Sequence, residues 1–297
     1  VETDGGHILC RIKGKTLPEA RGEYNPLAPG DRVAFDEGTA LIEGRLERRN
    51  RFARWKRERV QTIAANLDAV LCVCCAAGPP FRPRFVDRVA VIAEAEQIPF
   101  VVVYNKAEPE PDASVQQRLE AWQALGYAVI RTSAKSRHGL EELDRWLRSG
   151  VTVMIGQSGV GKSSLINALV SGAEQRIGEI SRKHVKGRHT TSTGVLLRDR
   201  LRAVIDTPGI RELLPYPLTQ LELAAAYREF RRRDAGCRMQ DCTHVHEPDC
   251  AVKAAVAREE IHPDRYQSYL RTIEMREHIE QTIHEQQTRS PRSNRND

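Results

Sequence analysis

The spacing of apolar residues changes near residue 63. Before it they form short clusters, Ile8–Ile12, Arg32–Phe35 and Ala40–Leu46, separated by turn signals at Pro29-Gly30-Asp31 and Asp36-Glu37-Gly38. Short strands in a small β-barrel give that pattern. After it, the solid apolar runs Ala69–Ala76 and Phe100–Tyr104 alternate with the helical stretches Arg84–Gln97 and Ala113–Leu125. Strands covered on both faces read as unbroken apolar runs, so this alternation predicts an α/β fold with a parallel sheet. Tyr127–Arg131, Val151–Ile155, Thr193–Leu197 and Leu201–Ile205 are further strand candidates. Thr219-x-x-Glu222 is a capping-box signature that starts a helix over Leu221–Phe230. Tyr266, Tyr269, Leu270 and Ile273 recur at helical spacing, and the polar end from Gln286 to Asp297 is expected to be disordered. Three units are therefore expected: residues 1–59, 60–215 and 216–297.

A chain of 297 residues, 40% hydrophobic and 29% charged, can hold two or three domains with cores of their own. Its longest apolar run, Ala69–Ala77, is far short of a membrane span, and no charged-then-apolar leader opens the sequence. A soluble cytoplasmic protein with no membrane partner is expected. The net charge of +6 is clustered in Arg45–Arg59, Arg176–Arg188 and Arg228–Arg238. Three basic clusters point to a phosphate-rich partner, DNA or RNA.

Chemistry enters at Gly156-Gln157-Ser158-Gly159-Val160-Gly161-Lys162-Ser163, which satisfies G-x-x-x-x-G-K-[ST] between a strand and the helical Ser164–Val170. Glycines let backbone N–H groups wrap phosphates, and the helix N-terminus adds a favourable dipole. Lys162 is expected on the β- and γ-phosphates and Ser163 on Mg²⁺. Downstream, Asp206-Thr207-Pro208-Gly209 ends a strand. Asp206 there can hold the Mg²⁺ shell, and the Gly209 N–H can meet a γ-phosphate. Between them, Lys186-Gly187-Arg188-His189-Thr190-Thr191 can supply a threonine to Mg²⁺. Thr190 and Thr191 both remain open, with Thr191 preferred.

Upstream, Asn105-Lys106-x-Glu108 reads as a guanine reader, with Ser133-Ala134-Lys135 as the second base-binding turn. An acid at position 108 accepts from N1–H and the 2-amino group of guanine, which adenine does not offer. Glutamate carries one more methylene than the usual aspartate, so a loosened guanine contact is expected. Ile210 follows Gly209 where many GTPases place a water-orienting glutamine. Unaided hydrolysis should be slow, with water positioned by His189 or by a partner. The base-reading elements precede the phosphate loop, as in a circularly permuted GTPase.

Seven cysteines, an odd number, argue against a disulfide framework. Cys72, Cys74 and Cys75 lie in an apolar strand and are expected to be buried thiols. Cys237-x4-Cys242-x-His244-x5-Cys250 supplies three thiolates and an imidazole, a closed tetrahedral set suited to one structural Zn²⁺. His246 rivals His244, and spacing does not choose between them.

On these motifs the chain resembles the circularly permuted ribosome small-subunit-dependent GTPase A family. The likeness extends through Ala64-Ala65-Asn66-Leu67-Asp68, Asp87-Arg88 and Gly187–Thr191. It continues into Cys242-Thr243-His244 and Glu247-Pro248-Asp249-Cys250-Ala251-Val252-Lys253. It implies an N-terminal OB-fold, a permuted GTPase domain and a C-terminal, mostly helical zinc-binding domain. It also implies a GTP/GDP-binding monomer that acts late in maturation of the small (30S) ribosomal subunit. Contact with its 16S-type rRNA, subunit-stimulated GTP hydrolysis and nucleotide-dependent release follow from the same likeness. In that family the histidine matching His189 is the proposed catalytic residue. Two positions depart from the pattern, Glu108 for Asp and Asp249 for Gly. The alternative is an RNA-binding assembly factor that binds GTP and turns it over little.

Overall fold

The computed structural model describes all residues except 4–5, 14–16, 77, 109, 174–193, 216–217 and 290–297. The described N-terminal segment consists of short strands and one 3-10 turn, Pro18–Ala20. A pair, β1 (Glu2–Thr3) and β2 (Gly6–His7), precedes β3 (Arg11–Ile12), β4 (Val33–Asp36) and β5 (Leu41–Arg45). These last three form one sheet in the order β3-β5-β4 around a small core of Leu17, Ala20 and Ile42. An antiparallel hairpin follows, β6 (Arg51–Lys56) and β7 (Arg59–Ala65).

The expected boundary at residue 59 cuts through that hairpin. Phe52 and Ala64 are fully buried in the core of the following sheet, so the hairpin packs with the central domain. The link is side-chain packing of a separate two-stranded sheet onto the central core, which local periodicity does not reveal.

The central sheet has six strands: β8 (Ala69–Cys74), β9 (Phe100–Asn105), β10 (Ala128–Thr132), β11 (Val151–Gly156), β12 (Val195–Arg198) and β13 (Ala203–Asp206). Their spatial order is β10-β9-β8-β11-β13-β12, parallel except for β12. Alternation along β8 shows why its run had to be apolar throughout. Val70, Cys72 and Cys74 join the core beneath α1 (Pro83–Ala95) and α2 (Ala113–Ala124). Ala69, Leu71, Val73 and Cys75 join the opposite core beneath α3 (Leu140–Leu147) and α4 (Lys162–Leu169). The three thiols are buried, as expected.

The C-terminal segment is helical, with α5 (Gln220–Ala225), α6 (Arg228–Arg231), α7 (Ala251–Ala257) and α8 (Pro263–Arg289). The capping box forms: Thr219 Oγ1 accepts from the Glu222 N–H at 3.2 Å, and Glu222 Oε2 accepts from the Thr219 N–H at 2.7 Å. The helix expected to reach Phe230 is broken at Tyr227, whose backbone is extended and whose buried ring stacks on Phe230 and meets Tyr269 edge-on. The long helix also runs to Arg289, so residues 286–289, expected to be disordered, are helical. Among the described residues no helix is long and apolar enough to cross a membrane.

Candidate active site

Parallel strands carry their ligands at their C-terminal ends, and four such ends meet here. Asn105 closes β9, Thr132 closes β10, Gly156 closes β11 and Asp206 closes β13. The loop from Gly156 enters α4 through Gly159 and Gly161, with φ of 86° and 94°, a region that costs other residues strain. Lys162 folds back over the loop, donating to the carbonyls of Gly156 (3.0 Å) and Gln157 (3.1 Å). Burial lowers its pKa, opposed by the nearby Asp206 carboxylate. Those carbonyl contacts are ones an arriving phosphate would replace.

The residues expected to read the base are built onto the same loop. Asn105 is 2% exposed; its amide donates to the Val160 carbonyl at 2.9 Å and accepts from Thr132 Oγ1 at 3.2 Å. Lys106, at φ 60°, donates to the Gly78 carbonyl at 2.8 Å. Glu108 accepts from the Ser133 hydroxyl, and that bond holds its carboxyl below the usual range. Ser133 Oγ in turn accepts from the Ser136 N–H at 2.9 Å. The extra methylene of Glu108 is thus folded toward Ser133. Asn105, Lys106, Glu108, Ser133, Ala134 and Lys135 line a cavity of about 740 Å³ with Gly161, Ser164 and Asn167. Asn167 was missed in the sequence reading; its place one helical turn beyond Ser163 was the signal that could have found it.

On the phosphate side, Ser163 Oγ donates to Asp206 Oδ2 at 3.3 Å. Asp206 Oδ1 is buried and has no hydrogen-bond partner among the described residues. Burial also raises the Asp206 pKa, with Lys162 opposing. A paired hydroxyl and a buried, unsatisfied carboxylate oxygen fit a hard divalent cation such as Mg²⁺. A Cβ on Gly209 would lie 2.5 Å from the Ser158 nitrogen, so only glycine lets this turn meet the phosphate loop. Ile210 is 5% exposed in the core, its N–H bonded to the Gly156 carbonyl at 3.1 Å. Its apolar side chain has no group with which to orient a water. His189, Thr190 and Thr191 lie outside the described residues.

The second expected site also assembles. Ligand atoms of Cys237, Cys242, His244 and Cys250 all lie within 4.8 Å of one another. His244 is 1% exposed, whereas His246 is exposed and joins no such group. Glu247 locks the turn by accepting from the N–H groups of Thr243 (2.6 Å), Val245 (2.9 Å) and His246 (3.1 Å). Tyr266 donates to the His244 carbonyl at 2.8 Å. Asp249 adopts φ 54°, the conformation for which glycine is the easier residue. Three thiolates and one imidazole around a common centre suit Zn²⁺.

Strand β8 precedes β11 in sequence yet pairs with it, with β9 and β10 beyond, and this brings the residues expected to read a base to the phosphate loop. Fold and site together define a circularly permuted P-loop GTPase. The family model described as RsgA GTPase matches residues 45–214, and one described as 50S ribosome-binding GTPase matches residues 151–279. The chain is 39% identical to the small ribosomal subunit biogenesis GTPase RsgA of Borrelia recurrentis, over 88% of this chain and 84% of that protein. The solved structure of YjeQ from Thermotoga maritima is similar at TM-score 0.68 and 32% identity, covering 92% of this chain and 91% of that one. YloQ, described as a circularly permuted GTPase, is similar at TM-score 0.63 and 25% identity, covering 93% and 90%. The chain belongs to the RsgA GTPase family.

Proposed function

We propose that the chain hydrolyses GTP while bound to the small ribosomal subunit, late in its maturation, and leaves the subunit when its nucleotide state changes. The observation that carries this is the cavity at Asn105–Glu108 and Ser133–Lys135, opening on the phosphate loop with Gly161 shared between them. The relatives' name, small ribosomal subunit biogenesis GTPase, supplies the partner class. Asn105, Lys106, Glu108 and the Ser133–Lys135 turn bind guanine. Gly156–Ser164 hold the phosphates, and the Gly209 N–H reports the γ-phosphate. Ser163 and Asp206, with Thr190 or Thr191, would hold Mg²⁺, which neutralises charge on the phosphates when bound.

With Ile210 buried, the attacking water is oriented by His189 or by a group the subunit supplies. Turnover is then slow alone and stimulated by the subunit. The N-terminal β segment acts as an OB-type unit against 16S-type rRNA, the Cys3His cluster holds one structural Zn²⁺, and the protein works as a cytoplasmic monomer. The buried Ile210 also favours a second reading, an assembly factor that binds GTP and scarcely hydrolyses it. Hydrolysis of GTP, ATP and xanthosine triphosphate, with and without purified small subunits, separates the two. GTP-selective turnover raised by subunits is expected; intact GTP binding without stimulation would overturn the enzymatic reading.

A further inference from the structure

The basic stretch Arg45–Arg59 looks uniform in sequence and is divided in the fold. Arg45 and Arg48 pair with Glu23, and Arg48 also with Asp31, their side chains only 8% exposed. Arg49 pairs with Asp68, and Arg51 with Glu23 and Glu96. These cations hold the N-terminal segment together and to the central domain. Arg54 is different. It is half-buried and donates to Gln61 Oε1 and to the Glu212 carbonyl, both at 3.0 Å. Among the described residues it forms no ion pair within 4 Å, and burial lowers its pKa, opposed by Tyr24 and the Glu212 carboxylate. Lys56 lies 5.0 Å from the Tyr24 ring centroid, and Arg57 is exposed at the hairpin tip.

These residues form one wall of a cleft of about 840 Å³. The opposite wall is Thr207–Glu212, including the exposed Arg211. Positive charges beside an aromatic ring make a groove suited to a single strand, whose phosphates meet the cations. We propose that this cleft receives an RNA strand by its phosphodiester backbone, and that RNA there acts on the turn that senses the nucleotide. The proposal rests on the small-subunit reading and specifies its contact surface.

The coupling follows from three bonds. The Trp55 N–H donates to the Leu214 carbonyl at 2.9 Å, and Arg54 holds the Glu212 carbonyl. The Ile210 N–H donates to the Gly156 carbonyl at 3.1 Å. One short segment is therefore fastened to the hairpin on one side and to the phosphate loop on the other. RNA in the cleft and phosphate in the loop bias the same segment. Any effect of nucleotide on RNA affinity must be matched by an equal effect of RNA on nucleotide affinity.

The test uses the whole protein and a fluorescein-labelled 12-nucleotide oligouridylate, followed by anisotropy over a range of salt with GDP or a non-hydrolysable GTP analogue bound. The Arg57→Gln/Arg211→Gln double variant keeps the side-chain bulk and removes two exposed charges. It should bind about tenfold more weakly and lose about 0.7 from the salt slope per phosphate contact removed. Arg49→Gln, whose parent residue pairs with Asp68 outside the cleft, should bind as the parent does. Wild-type RNA affinity should differ between the two nucleotides, and subunit stimulation should fall in the double variant while GDP affinity holds. Unchanged RNA affinity and salt slope in the double variant would overturn the proposal. So would an equal loss in Arg49→Gln, or stronger binding of a polyglutamate peptide than of RNA. If the wild type is not stimulated by subunits, the functional reading fails. If both proteins are stimulated equally, that reading stands and the cleft assignment falls.

Discussion

Arg265 Nη1 lies 2.6 Å from Asp87 Oδ1, and both side chains are out of contact with solvent. The pair joins α8 to α1 across the boundary between the C-terminal segment and the central domain. Asp87 also accepts from Arg118 at 2.6 Å and from Trp122 Nε1 at 2.9 Å, while Arg265 donates twice to Glu229 at 2.8 and 3.0 Å. Without Arg265, Asp87 keeps Arg118, but the buried Glu229 loses the guanidinium that both its oxygens bind. Arg265→Ala should therefore cost about 3–5 kcal/mol. In a chain of this size that lowers the melting temperature by roughly 10 °C. Arg231, half exposed and paired with Glu94, should cost at most about 1 kcal/mol on replacement by Ala. Calorimetry of the two variants checks the contrast.

The same carboxylate predicts a pH dependence. Burial pushes the Asp87 pKa up, but Arg265 and Arg118 outweigh it and hold the group below the usual carboxylate range. A depressed folded-state pKa adds stability above the unfolded value of about 3.9 and loses it as pH falls toward the folded value. Wild-type stability should thus drop below about pH 4 more steeply than that of Asp87→Asn. Equal slopes in denaturant titrations at several pH values would contradict this.

Gly161 is where the phosphate loop touches Asn105, the first residue of the proposed base reader. Its φ is 94°, and a Cβ there would sit 2.3 Å from Asn105 Nδ2. Gly161→Ala should add backbone strain of about 1–2 kcal/mol and displace the amide that holds the Val160 carbonyl. Nucleotide affinity, measured with a fluorescent GDP analogue, should fall by about tenfold or more. Gly172→Ala, also at positive φ but with nothing within 4 Å of its Cβ among the described residues, should leave affinity unchanged.

These relationships show where the sequence was legible. The sheet could be read because strands buried on both faces need unbroken apolar runs, and Val70–Cys74 and Val101–Tyr104 are such runs. The phosphate loop, the Asp206–Gly209 turn and the Cys3His set could be read because each is a local spacing imposed by its chemistry. The roles of the arginines could not. Arg48 and Arg57 look alike in a basic run, and only the long-range fold gives one to Asp31 and the other to a cleft. The choice of His244 over His246 likewise needed the buried turn held by Glu247. The break at Tyr227 came from aromatic packing, which overrides the helical pattern of its neighbours. His189 and the adjacent threonines, legible as motif, lie outside the described residues.

Glu108 sets a prediction about base choice. Its carboxylate accepts, and guanine offers N1–H and an amino group; xanthine carries a carbonyl in place of that amino group. Glu108→Gln supplies an amide N–H toward such a carbonyl and gives up the charge. The variant should lose about tenfold or more in preference for GTP and gain for xanthosine triphosphate. Ser133→Ala, which frees the carboxylate without altering its charge, should weaken GTP and leave the order of preference intact. Competition binding with the two triphosphates distinguishes these outcomes, and an unchanged ratio in Glu108→Gln would remove Glu108 from base recognition.

The last prediction concerns the metal. Cys237, Cys242, His244 and Cys250 form a complete four-ligand set with no need of His246. Metal analysis should give one zinc per chain for the wild type and for His246→Ala, and much less for His244→Ala. The core around the cluster includes Tyr227, Phe230, Tyr269 and, from α1, Val91. Loss of metal should therefore loosen the C-terminal segment first, with near-ultraviolet circular dichroism of the tyrosines reporting it. Thiolate ligands must be deprotonated, so mild acid should release zinc with the same spectral change. Zinc retained in His244→Ala and lost in His246→Ala would reverse the assignment.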